Sequence, residues 1–106
     1  VMDLNQSENL CRKLGNVIDL VKPTASQDFG QVTEDIEGFT VLSSINCLKA
    51  GLFQCRLSVA GDYVKTKSGL KQVSGISQTG TKQEVIDWVK YTLPMFISSL
   101  KKSADA

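Results

Sequence analysis

The chain has 106 residues, a formal net charge of +1 and 42% apolar residues, which suits a single domain over residues 1–106 with a core of its own. The near-neutral balance argues against a strongly basic nucleic-acid protein, and no apolar run reaches the roughly 18 residues of a membrane span. The opening VMDLNQSENL lacks the basic start and apolar centre of a signal peptide, so the expectation is a soluble, cytoplasmic protein that does not engage membranes.

The helical period appears first. Leu10, Leu14, Val17, Ile18 and Val21 share one stripe, with Arg12, Lys13, Asn16 and Asp19 off it, which predicts a helix over residues 5–22. Asn5 with Glu8, or Ser7 alone, is the expected cap. Lys22 suits the dipole at the helix end, and Pro23 stops the helix. Gly15 interrupts the pattern at a cost of up to about 1 kcal/mol relative to alanine, and a close approach by a neighbouring element is the natural reason for it. Residues 23–28 read as a polar connection, and residues 1–4 as a frayed start.

From Phe29 the period changes to two. Phe29 to Ile36 predicts a short strand ending at Glu37-Gly38. Phe39 to Leu48 is rich in β-formers with imperfect alternation. Leu52 to Ala60 alternates more cleanly, with Phe53, Cys55, Leu57 and Val59 on one face, and Lys49-Ala50-Gly51 makes the connection of a hairpin. Gly61-Asp62 is a further turn. The stretch from Lys65 to Gly80 reads either as a strand broken at Ser68-Gly69, with Leu70, Val73 and Ile76 as buried anchors, or as a mobile loop.

The last element has the clearest signal. Thr81 and Glu84 form a capping box, after which Val85, Ile86, Val89, Leu93, Phe96, Ile97 and Leu100 recur at helical spacing. Pro94 falls inside that pattern, and either kinks one helix or starts a second. Lys101, Lys102 and residues 103–106 are expected to fray. The predicted class is therefore α+β, in the order α-β-β-β-(β)-α. An antiparallel sheet of three to five strands carries the N-terminal and C-terminal helices on one face.

Histidine is absent. That removes the commonest general base, the commonest metal ligand and the usual partner of a serine or cysteine nucleophile. Cys11, Cys47 and Cys55 form no CxxC pair and read as small half-buried hydrophobes, although Cys47 and Cys55 could face each other across the hairpin. Glu34, Asp35 and Glu37 make an acidic corner, but neighbours on a strand point to opposite faces, and nothing apolar nearby would raise a carboxyl pKa. Gly69, Gly75 and Gly80 do not follow a phosphate-loop spacing, and Ser68 and Ser74 have no base. The sequence thus predicts no enzyme, with no catalytic residue, no metal and no cofactor.

Two surfaces compete for the function. Ile86, Leu93 and Ile97 broaden the apolar arc of the last helix beyond the stripe through Val85, Val89 and Phe96. That is enough to suggest a protein interface with Trp88, Tyr91, Met95 and Phe96 as its contact residues, toward a partner protein or a second copy. Between Lys49 and Lys82 the charges are almost all basic. Arg56, Lys65, Lys67, Lys71 and Lys82 would contact nucleic acid if they shared one face. The expected function is a small non-enzymatic interaction module of adaptor, regulator, inhibitor or chaperone type, homodimeric through the last helix. An RNA- or DNA-binding domain is the alternative.

The order helix, three strands, helix resembles that of the double-stranded RNA-binding domain. Thr79-Gly80-Thr81-Lys82-Gln83 falls where that family carries the basic run that grips phosphates. The chain departs from the family there, because Lys82 is the only cation of that run. Ile86, Trp88 and Val89 also replace the small residues usual in the family's last helix. The same order occurs in dimeric adaptor and secretion-chaperone-like folds.

Overall fold

A helix, α1 (Leu4–Leu20), opens the described chain, and a longer one, α2 (Lys82–Ala104), closes it. The computed structural model describes residues 4–20 and 29–105. Strands β1 (Phe29–Ile36), β2 (Phe39–Lys49), β3 (Leu52–Val59), β4 (Tyr63–Thr66), β5 (Gly69–Gln72) and β6 (Ile76–Gly80) lie between the helices. The sheet has the order β1-β2-β3-β6 and is antiparallel throughout, while β4 and β5 form a separate hairpin inserted between β3 and β6. The class is α+β, with both helices on one face of the sheet: α1 over β1 and β2, α2 over β3, β6 and the hairpin root.

Alternation on the strands creates that face. Val32 and Ile36 of β1, Val41 and Ile45 of β2, and Cys55 and Leu57 of β3 all point under the helices and are buried. From above they meet Leu10, Leu14 and Ile18 of α1 and Val85, Val89, Leu93 and Ile97 of α2. Fully burying each Leu, Ile or Val contributes about 1.5–3 kcal/mol, so this double stripe holds the layers together. Val73 and Trp88 are half-buried against the same core.

Several expectations need correction. Helix α1 begins at Leu4, which puts Asn5 and Ser7 inside its first turn rather than before it. The expected stop at Lys22-Pro23 lies outside the described residues, as does the connection over 23–28. The expected break at Ser68-Gly69 is the turn of a hairpin, at Lys67-Ser68, and a three-residue link and a fourth strand of the main sheet follow it. Of the three anchors expected there only Val73 packs on the core, because pairing of Leu70 with Lys65 turns Leu70 outward, and Ile76 sits on the edge strand. Helix α2 runs unbroken through Pro94, which lies with Lys90 on the exposed side of the helix, where a lost backbone hydrogen bond costs less than in the core.

Two turns explain irregularities in the pattern. Glu37 and Gly38 both have positive φ, 51° and 89°, which is the conformation of a two-residue turn that follows the strand twist. Between Cys47 and Lys49 the β2–β3 register shifts, leaving Leu48 exposed. The imperfect alternation of β2 lies upstream of that bulge, at Leu42 on the uncovered face and at Ser43, a polar residue buried under the helices. The β2–β3 register also decides the cysteine question. Cys55 stands opposite Ile45 and Cys47 opposite Phe53, so the two cysteines are diagonal, and both are free thiols.

Candidate protein-interaction surface

The outer side of α2 is set by its start. Thr81 N–H donates to Glu84 Oε1 at 2.9 Å and Glu84 N–H donates to Thr81 Oγ1 at 3.3 Å, closing the predicted capping box. The Thr81 backbone N–H first, and the Thr81 side chain after it, hold the Glu84 carboxyl below its ordinary range. Gly80 is buried beside this cap, and a Cβ there would stand 2.9 Å from Glu84 Cβ, so only glycine lets the strand run straight into the helix.

With its start fixed, α2 turns Val85, Val89, Leu93, Phe96, Ile97 and Leu100 inward. The opposite side carries Tyr91, 74% exposed, and Met95, 57% exposed, with Pro94 beside them. Trp88 is half-buried at the flank of this group and packs on the core. Phe96 is 7% exposed and belongs to the core, not to the outer stripe. The apolar arc read from the sequence thus divides into an inner set, which includes Phe96, and an outer set of Tyr91 and Met95 with Trp88 at the boundary.

The basic positions do not form one strip. Lys82 begins α2 and is held by Asp19 of α1 at 2.7 Å. Lys49 sits on the β2–β3 turn at that same end of the sheet, whereas β4–β5 follows the far end of β3, some 25 Å away by strand rise. Within that hairpin Lys65 pairs with Leu70 and Lys71 with Val64, so the two lysines point to opposite faces, and Lys67 lies in the turn. Arg56 projects from the sheet face that the helices do not cover, between Ser44 and Ser77. There it borders an open hollow of about 230 Å³ with Asp62, Ser74 and Ser77.

The acidic corner dissolves in the same way. Glu34 and Glu37 are ion-paired to the helices, Glu34 to Lys13 of α1 and Glu37 to Lys101 of α2 at 2.8 Å. Asp35, on the opposite face of β1, accepts a hydrogen bond from Thr40 Oγ1 at 2.9 Å. Glu34 and Glu37 tie the sheet side to the helices across long sequence separations, which no local pattern could reveal. The outward side of the hairpin, where Tyr63 and Leu70 are exposed, was also illegible before the β4–β5 register was known.

Among the described residues no three His, Cys, Asp or Glu side chains converge as metal ligands, and no helix is long and apolar enough to cross a membrane. Comparison with protein-family models, with curated proteins and with solved structures finds no match to this chain.

Proposed function

We propose that the chain is a non-enzymatic protein-interaction module that docks through the outer stripe of α2, taking a partner helix with an apolar stripe of its own. The observation that carries this reading is the exposure of Tyr91 and Met95 one turn apart, flanked by Trp88, on a helix whose other side is fully committed to the core. Aromatic and methionine side chains give large, adaptable contact area, and helix-in-groove docking uses i, i+3, i+4 and i+7 anchors of this kind.

Nucleic-acid binding is the second reading, supported by Lys65, Lys67 and Lys71 clustered on one projecting hairpin. Its cations surround that hairpin instead of lining one side of it, and Lys82 is occupied by Asp19.

Sedimentation of the full chain at two salt concentrations, with and without a mixed RNA and DNA pool, separates the readings. Tyr91→Glu with Met95→Glu should abolish a salt-resistant association. Changing Lys65, Lys67 and Lys71 to glutamate should leave that association intact. Nucleic-acid binding that falls steeply with salt and disappears only in the lysine variant would overturn the protein-docking reading.

A further inference from the structure

We infer that the occupant of the α2 stripe is a second copy of this chain, packed antiparallel about a two-fold axis on the outer side of the helix opposite Leu93. This rests on the docking reading above and names its partner. Leu93 itself is fully buried, so the outward direction at its level is the middle of the exposed side.

At about 100° per residue, Glu84, Trp88, Tyr91, Met95, Ser98 and Lys102 fall on one stripe. Five of them are exposed and Trp88 is half-buried. Their positions are symmetric about Leu93, which lies midway between Tyr91 and Met95, between Trp88 and Ser98, and between Glu84 and Lys102. A dyad there sets Tyr91 against Met95 of the other copy, twice, at the centre. It sets Trp88 against Ser98 further out, and Glu84 against Lys102 at both ends. An isologous interface requires self-complementarity of this kind, because one patch must serve both sides.

The charges select the direction. Parallel packing would put Glu84 on Glu84 and Lys102 on Lys102, whereas antiparallel packing pairs opposite charges and opposes the helix dipoles. Both groups are free to do this. Glu84 is exposed and has no cationic partner among the described residues, its cap contacts coming from Thr81 alone, and Lys102 has no carboxylate partner among them, unlike Lys101 beside it. A net charge of +1 adds almost no repulsion between copies. The stripe is one helix wide, so the contact belongs to the small class and the dimer is a weak, exchanging one.

The test is zero-length carbodiimide cross-linking of the wild-type chain, with mass spectrometry of the joined peptides and sedimentation in parallel. Within one copy Glu84 and Lys102 are about 27 Å apart along the helix, so a direct bond between them must join two molecules. A Glu84–Lys102 product confined to the dimer is the expected result. Lys102→Glu and Glu84→Lys should each weaken the dimer by about tenfold, since each reverses a charge contact at both ends. Mixing the two variants should restore a heterodimer. Glu84→Gln, which keeps an acceptor for the cap, should weaken self-association without the loss of fold that Glu84→Lys risks.

A dimer cross-linked elsewhere, with no Glu84–Lys102 product, would overturn the antiparallel arrangement. A chain that stays monomeric while Tyr91→Glu with Met95→Glu abolishes capture of another protein would overturn self-association and leave the docking reading standing. A dimer indifferent to that double substitution would overturn both.

Discussion

Gly15 on α1 faces Ile86 on α2: a Cβ added to the glycine would stand 3.7 Å from Ile86 Cδ1, an ordinary van der Waals distance. The helices therefore meet here without needing glycine, and its φ is not in the left-handed region. Gly15→Ala should stabilise the protein by about 0.4–1 kcal/mol, through reduced freedom of the unfolded chain and one added contact. Urea denaturation should show a higher midpoint at unchanged slope.

The Thr81–Glu84 box should show itself in both mutation and pH. Thr81→Ala removes the side-chain cap and should cost about 1 kcal/mol. The Glu84 carboxyl is depressed in the folded state by the Thr81 backbone and side chain, so it binds a proton less readily there than in the unfolded chain. Its stabilisation is present above the unfolded value of about 4.3 and is lost as pH falls through the lower folded value. Glu84→Gln should flatten that acid limb in urea melts between neutral and acid pH.

Cys55 should behave oppositely. Burial pushes its thiol up to about 11, against a smaller lowering by the hydrogen bond with buried Ser43, whose Oγ is 3.6 Å from the sulfur. The folded state thus keeps a proton that the unfolded chain releases near pH 8.5–9. This stabilisation is complete below that range and is lost as pH rises toward 11, by of order 2 kcal/mol. The stability difference between wild type and Cys55→Ala should shrink accordingly between pH 8 and 10.5. At neutral pH a thiol reagent should label half-buried Cys47 well before Cys11 or Cys55, since burial raises the Cys11 thiol as well.

Lys101 and Glu37 should respond unequally. Glu37 Oε2 is shut off from water and has no aligned hydrogen-bond donor, so the Lys101 ammonium at 2.8 Å is the charge that compensates it. Lys101→Met strands that carboxylate and should cost about 1 kcal/mol. Glu37→Asn removes the carboxylate and places Asn-Gly in a turn with positive φ at both residues, so it should be neutral or stabilising. Thermal melts of the two single variants and the double variant measure the asymmetry.

What could be read from the sequence was whatever depends on neighbours within a turn or a strand. The Thr81 cap, the inner stripe of α2 and the Phe53–Val59 alternation are of that kind, and each is as expected. What could not be read depends on register or on distant partners. Leu70 looks like an anchor until its pairing with Lys65 turns it to solvent. Phe96 looks like an interface residue until the sheet rises beneath it. Glu34 and Glu37 look like one acidic patch until Lys13 and Lys101 arrive from different helices. The run from Lys49 to Lys82 looks like one basic strip until the strands carry its members to both ends of the sheet.

The β4–β5 hairpin joins the body only at its root, where Val64 is buried and the Val73 N–H donates to the Asp62 carbonyl at 2.8 Å. Its tip at Lys67-Ser68 is exposed. A cut there severs no core contact, yet it parts the chain into a front piece with α1 and β1 to β4 and a rear piece with β5, β6 and α2. The surface between the pieces is the β3–β6 ladder, the short β4–β5 ladder and the entire inner stripe of α2. The fold is thus laid out for fragment complementation. Two separately made pieces would reconstitute it by binding, and their affinity would read out the strength of the core.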